Sequence, residues 1–120
     1  GGEISRIMLS IKSILSKYTK LASIIFDEID TGISGSVSSK VGELMKFMSQ
    51  NMQVIVITHT AQVASKGNFH FKVFKREHND KVITDIKILS DKERVNEIAE
   101  MLSGDKSNKS ANELANELLN

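Results

Sequence analysis

An α/β fold with a mixed sheet is the class this sequence predicts, on three observations. Two short apolar runs, residues 21–26 and 53–58, are separated by apolar residues at helical spacing. Strand, helix, strand in that order is a right-handed parallel crossover by default. Two β-rich alternating segments, 69–76 and 81–89, flank His78-Asn79-Asp80, whose Asn and Asp favour the tight turn of an antiparallel hairpin. Two helical patterns then follow.

The first element is an amphipathic helix from residue 3 to about 18, because Ile4, Ile7, Met8, Ile11, Ile14 and Leu15 recur at three- and four-residue intervals. Leu21 to Phe26 is apolar, rich in Ile and closed by Asp27-Glu28, the pattern of a strand buried on both faces. Thr31-Gly32-Ile33-Ser34-Gly35 reads as a loop. Val37, Val41, Leu44, Met45 and Met48 make the second helical stripe, and Gln53 to Thr58 makes the second buried strand. Beyond the hairpin, one helix is expected on Val95, Ile98, Ala99 and Leu102 and another on Ala111, Leu114, Ala115 and Leu118, with a break from Ser103 to Ser110.

Length and composition narrow the function classes. The 120 residues, 40% hydrophobic and 26% charged, suit a single globular domain over 1–120 and exclude a fibre or wholesale disorder. Sixteen Lys and Arg against fifteen Asp and Glu leave a formal charge of +1, so no strong basic field draws nucleic acid to this segment. Cysteine is absent, which excludes a disulfide framework or thiolate metal site and permits a reducing cytoplasm. No apolar run approaches the ~20 residues that span a bilayer, so no membrane association is expected. The opening Gly1-Gly2-Glu3-Ile4 lacks an initiator Met and runs into a helical pattern, so the chain is expected to be cut from a longer protein.

The strongest local chemical pattern is Ile24-Ile25-Phe26-Asp27-Glu28. Nucleotide hydrolysis needs carboxylates at the end of a rigid strand: an Asp there can hold Mg²⁺ through water, and a neighbouring Glu can polarise the attacking water. A buried strand that ends where polar residues meet solvent has the same pattern. The second strand also ends in polar residues, Thr58-His59, and in a parallel sheet both carboxyl ends open onto the edge where ligands of α/β proteins bind. His59 is therefore expected near Asp27 and Glu28. Gly1-Gly2-Glu3 at a helix start can present backbone N–H groups to a phosphate, although two terminal glycines are also a common cloning remnant.

Three segments, GGEISRIMLSIKSIL (1–15), IIFDEIDTGISG (24–35) and VIVITHTAQVAS (54–65), resemble the signature helix, the Walker B strand with its D-loop, and the switch segment of the RecN family. These are ATP-binding-cassette ATPases similar in plan to structural-maintenance-of-chromosomes (SMC) proteins. The likeness continues through Glu93-Arg94-Val95 and Met101-Leu102-Ser103-Gly104, nearly the whole chain. It implies the C-terminal half of a phosphate-loop NTPase head, with parallel strands, an antiparallel hairpin and C-terminal helices. By position, Asp27 matches the Walker B acid associated with Mg²⁺, Glu28 the catalytic glutamate and His59 the switch histidine at the γ-phosphate of ATP. Asp30 falls in the D-loop, which in such heads meets the partner subunit; Gly1, Gly2 and Glu3 match the end of the signature motif, which touches ATP on the opposite head.

Two departures matter: the Leu-Ser expected before Gly1 is missing, and no Gly-x-x-x-x-Gly-Lys-Ser/Thr phosphate loop occurs in the chain. The implied partners are the N-terminal half of the same head carrying Walker A, a second head in a homodimer, and DNA during double-strand-break repair. The implied setting is the cytoplasm, at the nucleoid. Alone, the chain is expected to be an inactive ATPase fragment.

Two other readings of the residues remain at this point. In a receiver-like phosphoacceptor domain, Asp27 takes a phosphoryl group, Thr58 senses it and Lys75 neutralises it; no earlier acid pair holds the metal, and Glu28 and His59 go without roles. In a docking module, hairpin 69–89 presents Lys72, Lys75, Arg76, Lys81 and Lys87, which a solvated strand face also explains. His70 and His78 have no partners at metal spacing, and Met45, Met48 and Met52 suit the core.

Overall fold

A computed structural model describes residues 2–15, 17, 20–104 and 109–120. Helix α1 (Gly2–Leu15) leads to strand β1 (Ser23–Asp27), helix α2 (Gly35–Met48) and strand β2 (Gln53–Ile57). A single-turn helix α3 (Ala61–Ala64) precedes the hairpin strands β3 (Phe71–His78) and β4 (Lys81–Ile88), and helices α4 (Asp91–Ser103) and α5 (Lys109–Leu119) follow. Strands β1 and β2 pair in parallel from Ser23↔Gln53 to Asp27↔Ile57, as a crossover through α2 requires. β3 and β4 pair antiparallel around Asn79 and Asp80, whose φ values of 49° and 58° give the double left-handed turn that matches strand twist.

The single mixed sheet expected from the pattern is instead two separate two-stranded sheets. The strands are also not buried on both faces. Ile24 and Phe26 enter a core with Leu9, Val41, Met45, Met48 and Met52, whereas Ile25 between them is 61% exposed. A continuous apolar run predicts cover on two sides, and α1 and α2 cover only one. The stripe expected to bury α1 likewise points outward: Leu9 and Ser13 are buried, while Ile7, Met8, Ile11 and Ile14 are exposed. Among the described residues no helix is long and apolar enough to cross a membrane.

A second core joins Ala61, Ile98, Ala99, Ala111 and Ala115. Alanine at these contacts lets α3, α4 and α5 approach closely. Helix α4 starts in a capping box, with the Glu93 N–H donating to the Ser90 hydroxyl and the Ser90 N–H donating to the Glu93 carboxylate, and stops at Gly104, φ 71°. Lys87 also donates to Glu93. That ammonium first, then the Ser90 N–H, holds the Glu93 carboxyl at about 2, below its ordinary 4.5. A depressed acid adds stability that is complete above the unfolded value and is lost as pH falls through the folded one. Glu93→Gln should therefore lower the melting temperature near pH 7, with the difference fading between about 4.5 and 2. A difference that persists unchanged at pH 2 would assign the effect to packing.

Candidate functional site at the carboxyl edge of the parallel strands

Parallel pairing brings the ends of β1 and β2 level. Asp27 pairs with Ile57, and the Glu28 N–H donates to the Ile57 carbonyl at 2.9 Å, extending the ladder by one residue. Asp27, Glu28 and His59 therefore leave one sheet edge together, all three exposed. Asp27 lies on the open face of β1 with Ser23 and Ile25, because the alternate residues Ile24 and Phe26 face the core.

Glu28 turns out of the strand with φ 48°, a left-handed conformation uncommon for a residue with a Cβ. Thr31 fixes that turn by donating its N–H at 3.4 Å and its hydroxyl at 3.0 Å to the Glu28 carbonyl. Such a backbone costs about 1–3 kcal/mol and persists where its surroundings over-determine it, commonly at active sites.

Asp30, in the segment likened to a D-loop, lies inward. It is 1% exposed, and its Oδ2 accepts hydrogen bonds from the hydroxyls of Thr58 and Thr60, the latter at 2.6 Å. The Thr60 N–H donates to the Thr58 hydroxyl at 3.0 Å. The carboxylate thus holds the segment on both sides of His59 and is not open to a nucleotide in this structure; the neighbouring Thr31 and Gly32 are exposed.

Beyond Thr60, α3 packs so tightly on α2 that a Cβ on Gly42 would lie 3.1 Å from the Gln62 carbonyl oxygen and 3.3 Å from Val63 Cα. Arg94 reaches from α4 to donate to the carbonyls of Ala64, Ser65 and Gly67, which end that turn. Thr60, Arg94 and the inward Asp30 were missed as supports of His59. Thr58-His59-Thr60 beside a strand end carried a signal, two hydroxyls bracketing a histidine, but nothing in the spacing names their acceptor.

Gly1 lies outside the described residues, Gly2 opens α1 and Glu3 is exposed in its first turn. Among the described residues no group of three or more His, Cys, Asp or Glu could hold a metal ion on protein ligands alone.

The phosphoacceptor reading does not survive the topology. It needs Lys75 at a strand end beside Asp27, whereas Lys75 pairs with Thr84 in the middle of the separate hairpin. Thr58, its phosphate sensor, is engaged by Asp30. In the basic hairpin, Lys72 pairs with Glu97 and Glu100, Arg76 with Asp85, and Lys87 with Glu93, so most of that charge is neutralised locally. His70 is half-buried with Nδ1 unpartnered; burial, then the charge of Arg94, lowers its pKa.

No protein-family model matches the chain. The DNA repair protein RecN of Rickettsia conorii is 47% identical over 119 residues, 99% of this chain and 22% of that protein. The RecN proteins of Halalkalibacterium halodurans and Deinococcus radiodurans are 43% and 40% identical over 119 residues, each match covering 99% of this chain and 21% of the relative. The chain thus spans about a fifth of the length of the curated relatives it matches. A solved structure from work on "ATP-driven dimerization and DNA stimulated activation of SMC ATPases" superposes with a TM-score of 0.64 at 20% identity, covering 86% of this chain and 62% of that one, which shows the same fold.

Proposed function

We propose that this chain, which matches the C-terminal part of RecN proteins over nearly all of its length, is one lobe of an SMC-like ATPase head serving ATP-dependent DNA double-strand-break repair in the cytoplasm. The observation that carries this reading is the shared strand edge from which Asp27, Glu28 and His59 emerge, with Glu28 held out of the strand by its turn.

In the reading, Asp27 holds Mg²⁺ through water and Glu28 orients the attacking water and draws on its proton. His59 meets the γ-phosphate. Gly1, Gly2 and Glu3, of which Gly2 and Glu3 open α1, meet ATP bound by a second head. When bound, Mg²⁺ neutralises charge that develops on the transferring phosphoryl group.

The reading includes a second lobe, the N-terminal half of the same head with Walker A, and the bare surfaces support it. Ile25, Ile55 and Ile57 are exposed on the parallel pair, as are Phe71, Val73, Ile86 and Ile88 on one face of the hairpin. An open groove of about 820 Å³ lies along the free edge of β2, lined by Val54 to Ile57, Phe69 and Phe71 and reaching His59 at its end. Its aliphatic and aromatic wall suits a packed protein surface rather than a triphosphate.

The chain alone should neither bind ATP tightly nor hydrolyse it. Joined to an N-terminal half carrying Walker A, it should give Mg²⁺-dependent turnover. Appreciable turnover by the isolated chain, or none by the reconstituted head, would count against this function.

A further inference from the structure

We propose that Asp30 is a positioning residue that locks the switch histidine to the catalytic glutamate. The proposal rests on the ATPase reading of the same edge.

Two connections join the strand ends outside the ladder of β1 and β2. The Glu28 N–H donates to the Ile57 carbonyl, and two residues further on the Asp30 carboxylate collects the hydroxyls of Thr58 and Thr60. His59 sits between those threonines with its own side chain exposed. The backbone entering and leaving His59 is therefore tied to the turn that aims Glu28. Because Thr31 holds the Glu28 carbonyl and Asp30 precedes it, one four-residue turn, 28–31, sets both groups.

Stability alone does not account for this choice of residue. Asp30 Oδ1 is buried with no hydrogen-bond partner. A buried carboxylate with an unpartnered oxygen is a costly way to fill a turn, and a neutral side chain would serve packing better. What the side chain supplies is a single oxygen that accepts two hydroxyls at once, drawing both sides of His59 to one point. Such a lock governs the relative placement of a water-orienting carboxylate and a phosphate-sensing imidazole, where an error of about 1 Å costs on the order of 10²-fold in rate.

The test uses the complete RecN-type protein that contains this segment, with ATP turnover measured against ATP concentration. Asp30→Ala should lower kcat by roughly 10–100-fold while KM for ATP stays nearly constant. Asp30→Asn keeps an acceptor oxygen and should recover most of the loss. In a His59→Ala background, Asp30→Ala should add almost nothing, because a residue acting through His59 has nothing left to position. A merely structural role predicts the same fractional loss in both backgrounds, and that result overturns the proposal. If Asp30→Ala does not fold, Thr60→Val and Thr60→Ser ask the same question from the donor side: Val should reduce kcat and Ser should restore it, and equal activity of the two sinks the idea. Absence of turnover in the unsubstituted protein would instead reject the ATPase reading itself.

Discussion

Glu28→Gln in the complete protein should lower ATP turnover by roughly 10²–10⁴-fold, the range lost with a positioned general base, and leave ATP binding intact. Gln keeps the length and hydrogen-bonding reach of Glu but lacks the negative charge that draws the proton from the attacking water. The local backbone should be preserved. The left-handed φ of 48° is imposed by the Thr31 contacts and the bond to Ile57, none of which uses the Glu28 side chain. Nucleotide should therefore be retained, and paired heads closed over ATP should persist. Asp27→Asn should act at an earlier point and weaken the metal-dependent step proposed for it. Turnover and nucleotide retention measured side by side separate the two variants, and near-normal turnover in Glu28→Gln would remove Glu28 as the catalytic residue.

The second large effect concerns stability. Ile98→Ala should destabilise the chain by about 2–5 kcal/mol, read as a lower urea midpoint with an unchanged slope. Ile98 is 0% exposed and packs among Ala61, Ala99, Ala111 and Ala115. Those alanines have no rotatable side chain with which to refill a cavity, so how far the space closes depends on Val95, Met101, Leu102, Leu118 and Leu119 packed around them. A cost below about 1 kcal/mol would mean that the helices close over the gap, and the packing inferred for α4 and α5 would need revision.

Much of this arrangement was legible beforehand because it depends on local pattern. Apolar runs ending in Asp27-Glu28 and Thr58-His59, with one helical stripe between them, lead to a parallel pair whose chemistry lies at one edge. Asn79-Asp80 marked the hairpin turn within a residue or two, and the β3 and β4 limits moved only slightly. What escaped depends on what a residue touches. Ile7, Met8, Ile11 and Ile14 of the α1 stripe are bare, and Ile25 is bare, because periodicity tells which residues share a face and not whether anything covers it. Helix α3 is four residues long, too short to show a period. The inward place of Asp30, which the resemblance put only in a D-loop, could not be read because its hydrogen-bond donors, Thr58 and Thr60, lie about thirty positions away in sequence.

Helix α3 has a mechanical consequence. Ala61 belongs to the alanine-lined core and Val63 to the core beneath β1 and β2, so one helical turn is riveted into both. Sliding of either packing unit past the other must shear that turn, and the loop bearing His59 feeds directly into it. Arg94 adds a third rivet from α4. The segment bearing His59 is therefore anchored at its downstream end, so a displacement of His59 falls first on rotation within residues 58–60. The alanine-lined core that packs α4 on α5 is thus also part of what holds the histidine loop in place.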